Sequence, residues 1–205
     1  DLKRITMKKL TILIFSILFT ISTTAFAGGM IGVKYGNGDL EGNAKSYTAG
    51  STTYAAESGS KDNEFGAIFA EINIKESPIS VGLEYVPFDA DISLNGDASG
   101  VSANVSDYTT LYALAMHELN EVSVYAKLGY SMADIGTVKP NDGQTTAITA
   151  ASDSLEGMMY GVGVQSKELP FGLVARAEYT FTEFDDISIT TTSNGSASVK
   201  KTADG

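Results

Sequence analysis

The chain has 205 residues with no cysteine, no tryptophan and one histidine, His117; its 14 Lys and Arg against 25 Asp and Glu give a net charge of −11. Zero cysteine excludes a disulfide scaffold and thiol chemistry, and a single histidine excludes a His-rich zinc site. The acidic balance argues against nucleic acid as a partner.

Taken in chain order, the first element is an export signal. Met7 to Ala27 reads MKKLTILIFSILFTISTTAFA: Lys8 and Lys9, an apolar run from Leu10 to Ile21, then Ala25-Phe26-Ala27. That is the three-part layout of a secretory signal peptide, with Ala25 and Ala27 as the small-x-small cleavage site. The run is shorter than the roughly 20 residues of a transmembrane helix and is broken by Ser16, Thr20 and Ser22. Asp1 to Thr6 precede the start-like Met7 and are read as upstream non-native residues or as the displaced start of a strand. Without residues 1–27 the chain has 178 residues, one domain's worth, with ten Lys and Arg against 24 Asp and Glu, a net charge of −14.

After Ala27 no stretch is apolar for the roughly 18 residues of a spanning helix. What recurs is period-two alternation bounded by Gly, Asn, Asp and Ser clusters. It predicts seven strands: Met30 to Gly38, Glu64 to Ile74, Ile79 to Asp91, Asp107 to Leu119, Val122 to Asp134, Leu155 to Ser166 and Gly172 to Phe184. Each approaches or exceeds the about nine to eleven residues of a tilted bilayer-crossing strand.

The links alternate in length. Long polar segments run from Asp39 to Asn63, Ile92 to Ser106, Ile135 to Ser154 and Asp185 to Gly205, with tight links at Lys75 to Pro78, Asn120 to Glu121 and Lys167 to Phe171 between them. Short periplasmic turns and long external loops are the pattern of an outer-membrane barrel, and a signal-cleaved N-terminus begins on the periplasmic side. The fold expected is therefore all-β: an antiparallel up-and-down transmembrane β-barrel of eight-strand type, with seven strands present and the C-terminal strand missing. Such a chain should show an open seam between its first and seventh strands. The domains are thus residues 1–6 upstream, 7–27 signal peptide and 28–205 barrel.

These features, with strand ends such as Lys127-Leu128-Gly129-Tyr130-Ser131, resemble the small outer-membrane β-barrel family of Gram-negative bacteria that includes opacity proteins and the OmpA transmembrane domain. The resemblance spans Gly28 to Gly205. It implies a location in the outer membrane and a charged lumen network, and it lacks the C-terminal aromatic strand and any peptidoglycan-binding domain.

Placing aliphatic and aromatic residues toward lipid turns the other parity inward. Lys34, Glu71, Glu84, Lys127, Arg176 and Glu178 then share a narrow lumen, where unpaired charge is costly, so they should pair in a network. In the fourth strand Leu111, Ala113 and Ala115 compete with Tyr112, Leu114 and Met116 for the lipid face. Tyr35, Tyr85, Tyr130 and Tyr179, near external strand ends, form the expected aromatic girdle.

No catalytic residue, metal or cofactor is assigned. His117 stands beside Glu118 near a turn, but adjacent strand residues point to opposite faces, so no acyl-transfer set is built around it. Asp89 to Asp91 and Asp185-Asp186 lack the spaced ligands of a calcium loop, and Gly161-Val162-Gly163 makes room for bulky neighbours. The expected function is a structural, surface-interacting outer-membrane barrel with a plugged lumen. Its partners are outer-membrane lipid and lipopolysaccharide, and host or environmental surface ligands met by acidic external loops read as a mobile hydrated surface. A narrow porin is the alternative, and a lipid-modifying enzyme a distant one.

Overall fold

The computed structural model describes residues 11–14, 21–26, 28–44, 47–49, 52–54, 57–87, 89–94, 101–136, 139–140, 147–150, 154–185, 187–193 and 197–203. Alternation of branched or aromatic residues with small or polar ones favours extended backbone, and the chain is all-β apart from one 3-10 turn at Pro170–Gly172. The principal strands are β1 (Thr11–Ile14), β2 (Ile21–Phe26), β3 (Gly29–Ala44), β4 (Glu57–Asn73), β5 (Ile79–Val86), β6 (Val101–Glu118), β7 (Val122–Ile135), β8 (Ser154–Ser166), β9 (Leu173–Val174) and β10 (Arg176–Phe184). Among the described residues no helix is long and apolar enough to cross a membrane.

Strands β3, β4, β5, β6, β7, β8 and β10 pair in sequence order, every neighbour antiparallel, as a seven-stranded sheet curled into a half-barrel. Five strands depart from their expected bounds by more than one residue, and two of them begin early, β4 at Glu57 rather than Glu64 and β6 at Val101 rather than Asp107. Beyond Gly38, β3 continues to pair with β4 as far as Ala44 opposite Glu57, so the first long link is largely a projecting hairpin. The expected strand Ile79 to Asp91 ends at Val86, because Pro87 has no N–H to donate. Pairing resumes as Ala90–Leu94 against the start of β6. Where it resumes, Asp107 has φ of 53° and the β6–β7 register shifts between Met132 and Asp134, the signature of a bulge. The last strand breaks at Ala175 into β9 and β10; there Ser166 Oγ accepts from the Ala175 N–H at 3.0 Å.

The long links also carry β-structure where a mobile hydrated surface was expected. Ala147–Ala150, Ile187–Ser193 and Ala197–Ala203 form a three-stranded sheet joining the third and fourth links, and Tyr47–Ala49 pairs with Thr52–Tyr54 in the first. Their Ser- and Thr-rich composition suits strands as well as loops.

The seam expected to be open is occupied. β1 pairs with both β10, Ile14 opposite Thr180, and β3, Leu13 opposite Asp39. β2 pairs with β3, Ile21 opposite Val33, and with β9, Ser22 opposite Val174. Both belong to the apolar segment read as the export signal. β3 and β10 run the same way, so the seat between them takes a strand running opposite to both, and unpaired strand edges are costly enough to draw in a branched apolar segment. Ala25 lies in β2; Ala27 and Asp1 to Thr6 lie outside the described residues.

Candidate functional site

Strand pleating divides the sheet into two unlike faces. The outer face carries Ile31, Val33, Ile68, Leu83, Leu128 and Val162, all exposed. The concave face carries Lys34, Glu71, Glu84, Lys127, Arg176 and Glu178, all buried. In β6 the parity left open by sequence is decided: Leu111 is 59 % exposed, while Tyr112 and Leu114 are 3 % and 1 % exposed.

The six charged groups form two assemblies. Lys34 Nζ donates to Glu84 Oε1 at 2.8 Å and Glu178 Oε1 at 3.0 Å, while Lys127 Nζ donates to Glu84 Oε2 at 2.9 Å and Glu178 Oε1 at 3.1 Å. Each lysine thus bridges both carboxylates in a closed, neutral ring drawn from β3, β5, β7 and β10. Separately, Arg176 Nη1 donates to Glu71 Oε1 at 2.9 Å and Arg176 Nε to Gln165 Oε1 at 2.6 Å. Glu71 Oε2 lies 2.7 Å from Arg176 Nη1 yet has no hydrogen bond, so that second contact is electrostatic and off the N–H axis.

Two tyrosines that sequence reasoning left out complete the network. Tyr125 Oη donates to Glu178 Oε2 at 2.9 Å, and Lys127 Nζ sits 3.9 Å from the centroid of the Tyr112 ring. Each ring lies over a glycine that is its register partner: Gly82 opposite Tyr112 and Gly163 opposite Tyr125. A Cβ at either glycine would overlap the ring. The readable signal is the pairing of an inward aromatic with a glycine, and it requires the register, which one strand alone does not reveal.

Toward the long hairpins two further layers fill the concave face. Ser131 Oγ lies 2.8 Å from Thr110 Oγ1 and 3.0 Å from Tyr108 Oη, and Tyr108 Oη lies 3.1 Å from Thr182 Oγ1. Beyond this hydroxyl layer, Val105, Ala133, Leu155 and Phe184 are buried together with the edge of Tyr108, whose ring is 6.2 Å from that of Phe184.

Three of the four expected girdle tyrosines share one geometry. The hydroxyls of Tyr85 and Tyr130 donate to Asp107 Oδ1 at 2.7 Å and Glu156 Oε2 at 2.6 Å, and that of Tyr35 bonds Glu64. Each carboxylate stands two residues before the tyrosine's register partner, Thr109 for Tyr85, Met158 for Tyr130 and Gly66 for Tyr35. From one hairpin to the next the tyrosine steps two register positions toward the short turns, and the next step on β10 is Phe181. Tyr179 lies two residues nearer the short-turn end than that row, and the residue in line with it on β10 is Phe181.

His117 is exposed on the outer face opposite Val124, away from the charged ring. Among the described residues no group of three His, Asp or Glu is placed to hold a metal ion. No family model matches the chain, and no curated protein or solved structure matches it either.

Proposed function

We propose that the chain is an exported outer-membrane β-barrel of the small eight-strand type, serving envelope structure and surface interaction through its external hairpins. The observation that carries this reading is the inverted distribution of polarity. Three cations and three carboxylates are buried on the concave face, while 22 large apolar residues are exposed among the described residues. At about 1 kcal/mol for each half-exposed side chain, that surface carries roughly 20 kcal/mol of unfavourable contact with water relative to an apolar medium. In lipid the cost vanishes. A water-soluble barrel has the opposite arrangement, apolar inside and charged outside.

In this reading the sheet closes as an up-and-down barrel, with the seat between β3 and β10 held by a strand running opposite to both. The outer face meets lipid and lipopolysaccharide acyl chains, and the hairpins meet host or environmental surfaces. The interior of an eight-strand barrel is just wide enough for side chains to fill it. Here an ion-pair layer, a hydroxyl layer and an apolar layer lie in series, which favours a plugged scaffold over a narrow porin. No catalytic role is proposed, since His117 has no nucleophile and orienting acid gathered around it.

The reading is tested by diluting the urea-unfolded chain into phosphatidylcholine vesicles and comparing boiled with unboiled samples on SDS gels. Faster migration without boiling, with β-type circular dichroism, is expected. A chain that stays in the aqueous supernatant and shows no shift overturns it.

A further inference from the structure

The link between β8 and β9 contains an outlier that neither the backbone nor the packing explains. Phe171 has φ of 70° and ψ of 20°, and Gly172 follows with φ of 72°, so the tip has positive φ at both central positions, as in a type I′ turn. Such turns favour Asn or Gly at the first central position, and a bulky side chain there is strained. Phe171 is nonetheless the most exposed large apolar residue described, at 94 %. The turn is held in place, with the Leu169 N–H donating to the Leu173 carbonyl at 2.7 Å. Neither turn chemistry nor packing within the chain selects phenylalanine at this position, and contact with something outside the chain remains.

The position of the turn identifies that partner. Phe181 on β10 belongs to the row of girdle tyrosines. The eight steps from Phe181 down to Leu173 cover about 27 Å along the strand, which at a tilt near 40° is roughly 20 Å of height. The tip beyond Leu173 therefore lies close to the far edge of an apolar band about 25 Å tall. Around it the outer face carries Val122 and Leu119, each exposed, and Leu169 at 44 %. The other two short links are polar at the tip, Lys75-Glu76-Ser77-Pro78 and Asn120-Glu121.

We infer that Phe171, with Leu169 beside it, is a lipid-interface anchor that seats the short-turn end of the sheet in the glycerol and headgroup region of a phospholipid leaflet. The strain is held because the ring is buried in lipid. Lys167, 61 % exposed at its side chain and 4.0 Å from Glu121 Oε1 in a loose surface pair, stands at the start of the same link, where a cation can also reach headgroup phosphates. The inference rests on the membrane reading proposed above, and it adds a defined contact at the boundary opposite the tyrosine row.

The chain contains no tryptophan, so one substitution supplies a unique fluorophore. Phe171→Trp and, as a mid-band reference, Val164→Trp, whose register partner Ala177 lies midway between Phe181 and Leu173, are made in the full chain and refolded into phosphatidylcholine vesicles with bromine either near the glycerol or near the acyl chain ends. The Phe171→Trp variant is expected to show blue-shifted emission, shielding from aqueous acrylamide, and greater intensity loss with shallow than with deep bromine. The Val164→Trp variant is expected to show the reverse depth preference. Leu169→Trp, at an ordinary φ of −85° in the same turn, gives the same readout if the strained position tolerates no indole. Tryptophan in the turn that is acrylamide-accessible and unquenched by either lipid, while Val164→Trp is quenched, overturns the anchor and leaves the membrane reading standing. Quenching at neither position overturns both.

Discussion

Lys127→Met tests whether the buried ring is one mutually dependent unit. The lysine supplies Glu84 Oε2 and Glu178 Oε1 with hydrogen bonds at 2.9 and 3.1 Å, and its side chain is 3 % exposed. Without it Glu84 Oε2 loses its bond from that lysine, and the concave face, neutral with three cations and three carboxylates, carries one uncompensated negative charge. Glu178 is buffered, because Lys34 and Tyr125 still donate to it. Removing one partner of a buried pair costs about 3–5 kcal/mol, and most of that cost is the charge left behind. Adding Glu84→Gln removes the charge while leaving the Lys34–Glu178 pair intact, so the double variant should lie within about 2 kcal/mol of the parent. Equilibrium urea unfolding in phosphatidylcholine vesicles, followed by circular dichroism and the gel shift, measures both. A single variant costing less than about 1 kcal/mol, or a double variant no more stable than the single, would refute the reasoning.

Three other expectations concern packing, conduction and the seam. Gly82→Ala pushes a methyl into the Tyr112 ring and should destabilise by about 1–3 kcal/mol, with much of the loss recovered by adding Tyr112→Leu; equal destabilisation with and without that second change would place the strain elsewhere. In planar bilayers, Lys127→Ala and Arg176→Ala should leave conductance at the parent level, because the layer of Val105, Ala133, Leu155 and Phe184 stays closed; a clear rise in either would return the narrow porin to first place. A chain beginning at Gly28 lacks β1 and β2 and leaves the facing edges of β3 and β10 open. It should show a weak or absent heat-dependent gel shift, recovered when an added segment supplies a strand running opposite to both edges; an undiminished shift without one would mean that the seam needs no strand.

The sheet was legible because its signals are local. Alternation in Val122 to Tyr130 or Met158 to Val164 assigns each residue to a face without any knowledge of neighbours. The six charged residues fall inward for the same reason. Pairing was not legible, because it depends on register and on curvature. Lys34 and Glu178 are 144 residues apart in sequence, and only the closeness of β3 to β10 joins them. The offset of Tyr179 from the row of Tyr35, Tyr85 and Tyr130 was not legible either, because strand height follows from register across three hairpins. The Pro87 break follows from a missing donor and could have been read, whereas the bulge at Asp107 has no local marker, since an aspartate at positive φ is only moderately favoured. The occupied seam was least accessible, because the apolar segment from Leu10 to Ile21 satisfies the requirements of an export signal and of a strand equally well.

That double suitability gives the seam a physical meaning. On the proposed reading, cleavage after Ala27 would remove the strand that pairs with β3 and β10, so export and closure would compete for the same residues. The competition is resolved by order in time if the segment is removed during translocation, before the sheet meets lipid, and another strand running opposite to β3 and β10 then takes the seat. The network on the concave face limits what that strand can carry. The Lys34, Lys127, Glu84 and Glu178 ring is already neutral, and Arg176 is matched by Glu71. An added inward charge would have no partner among them and would face the same several-kcal/mol cost as the one exposed by Lys127→Met. The occupant of the seat should therefore present small or hydroxyl side chains inward and branched apolar ones outward, and a Lys or Glu placed at an inward position of an added strand should abolish the recovery of the gel shift.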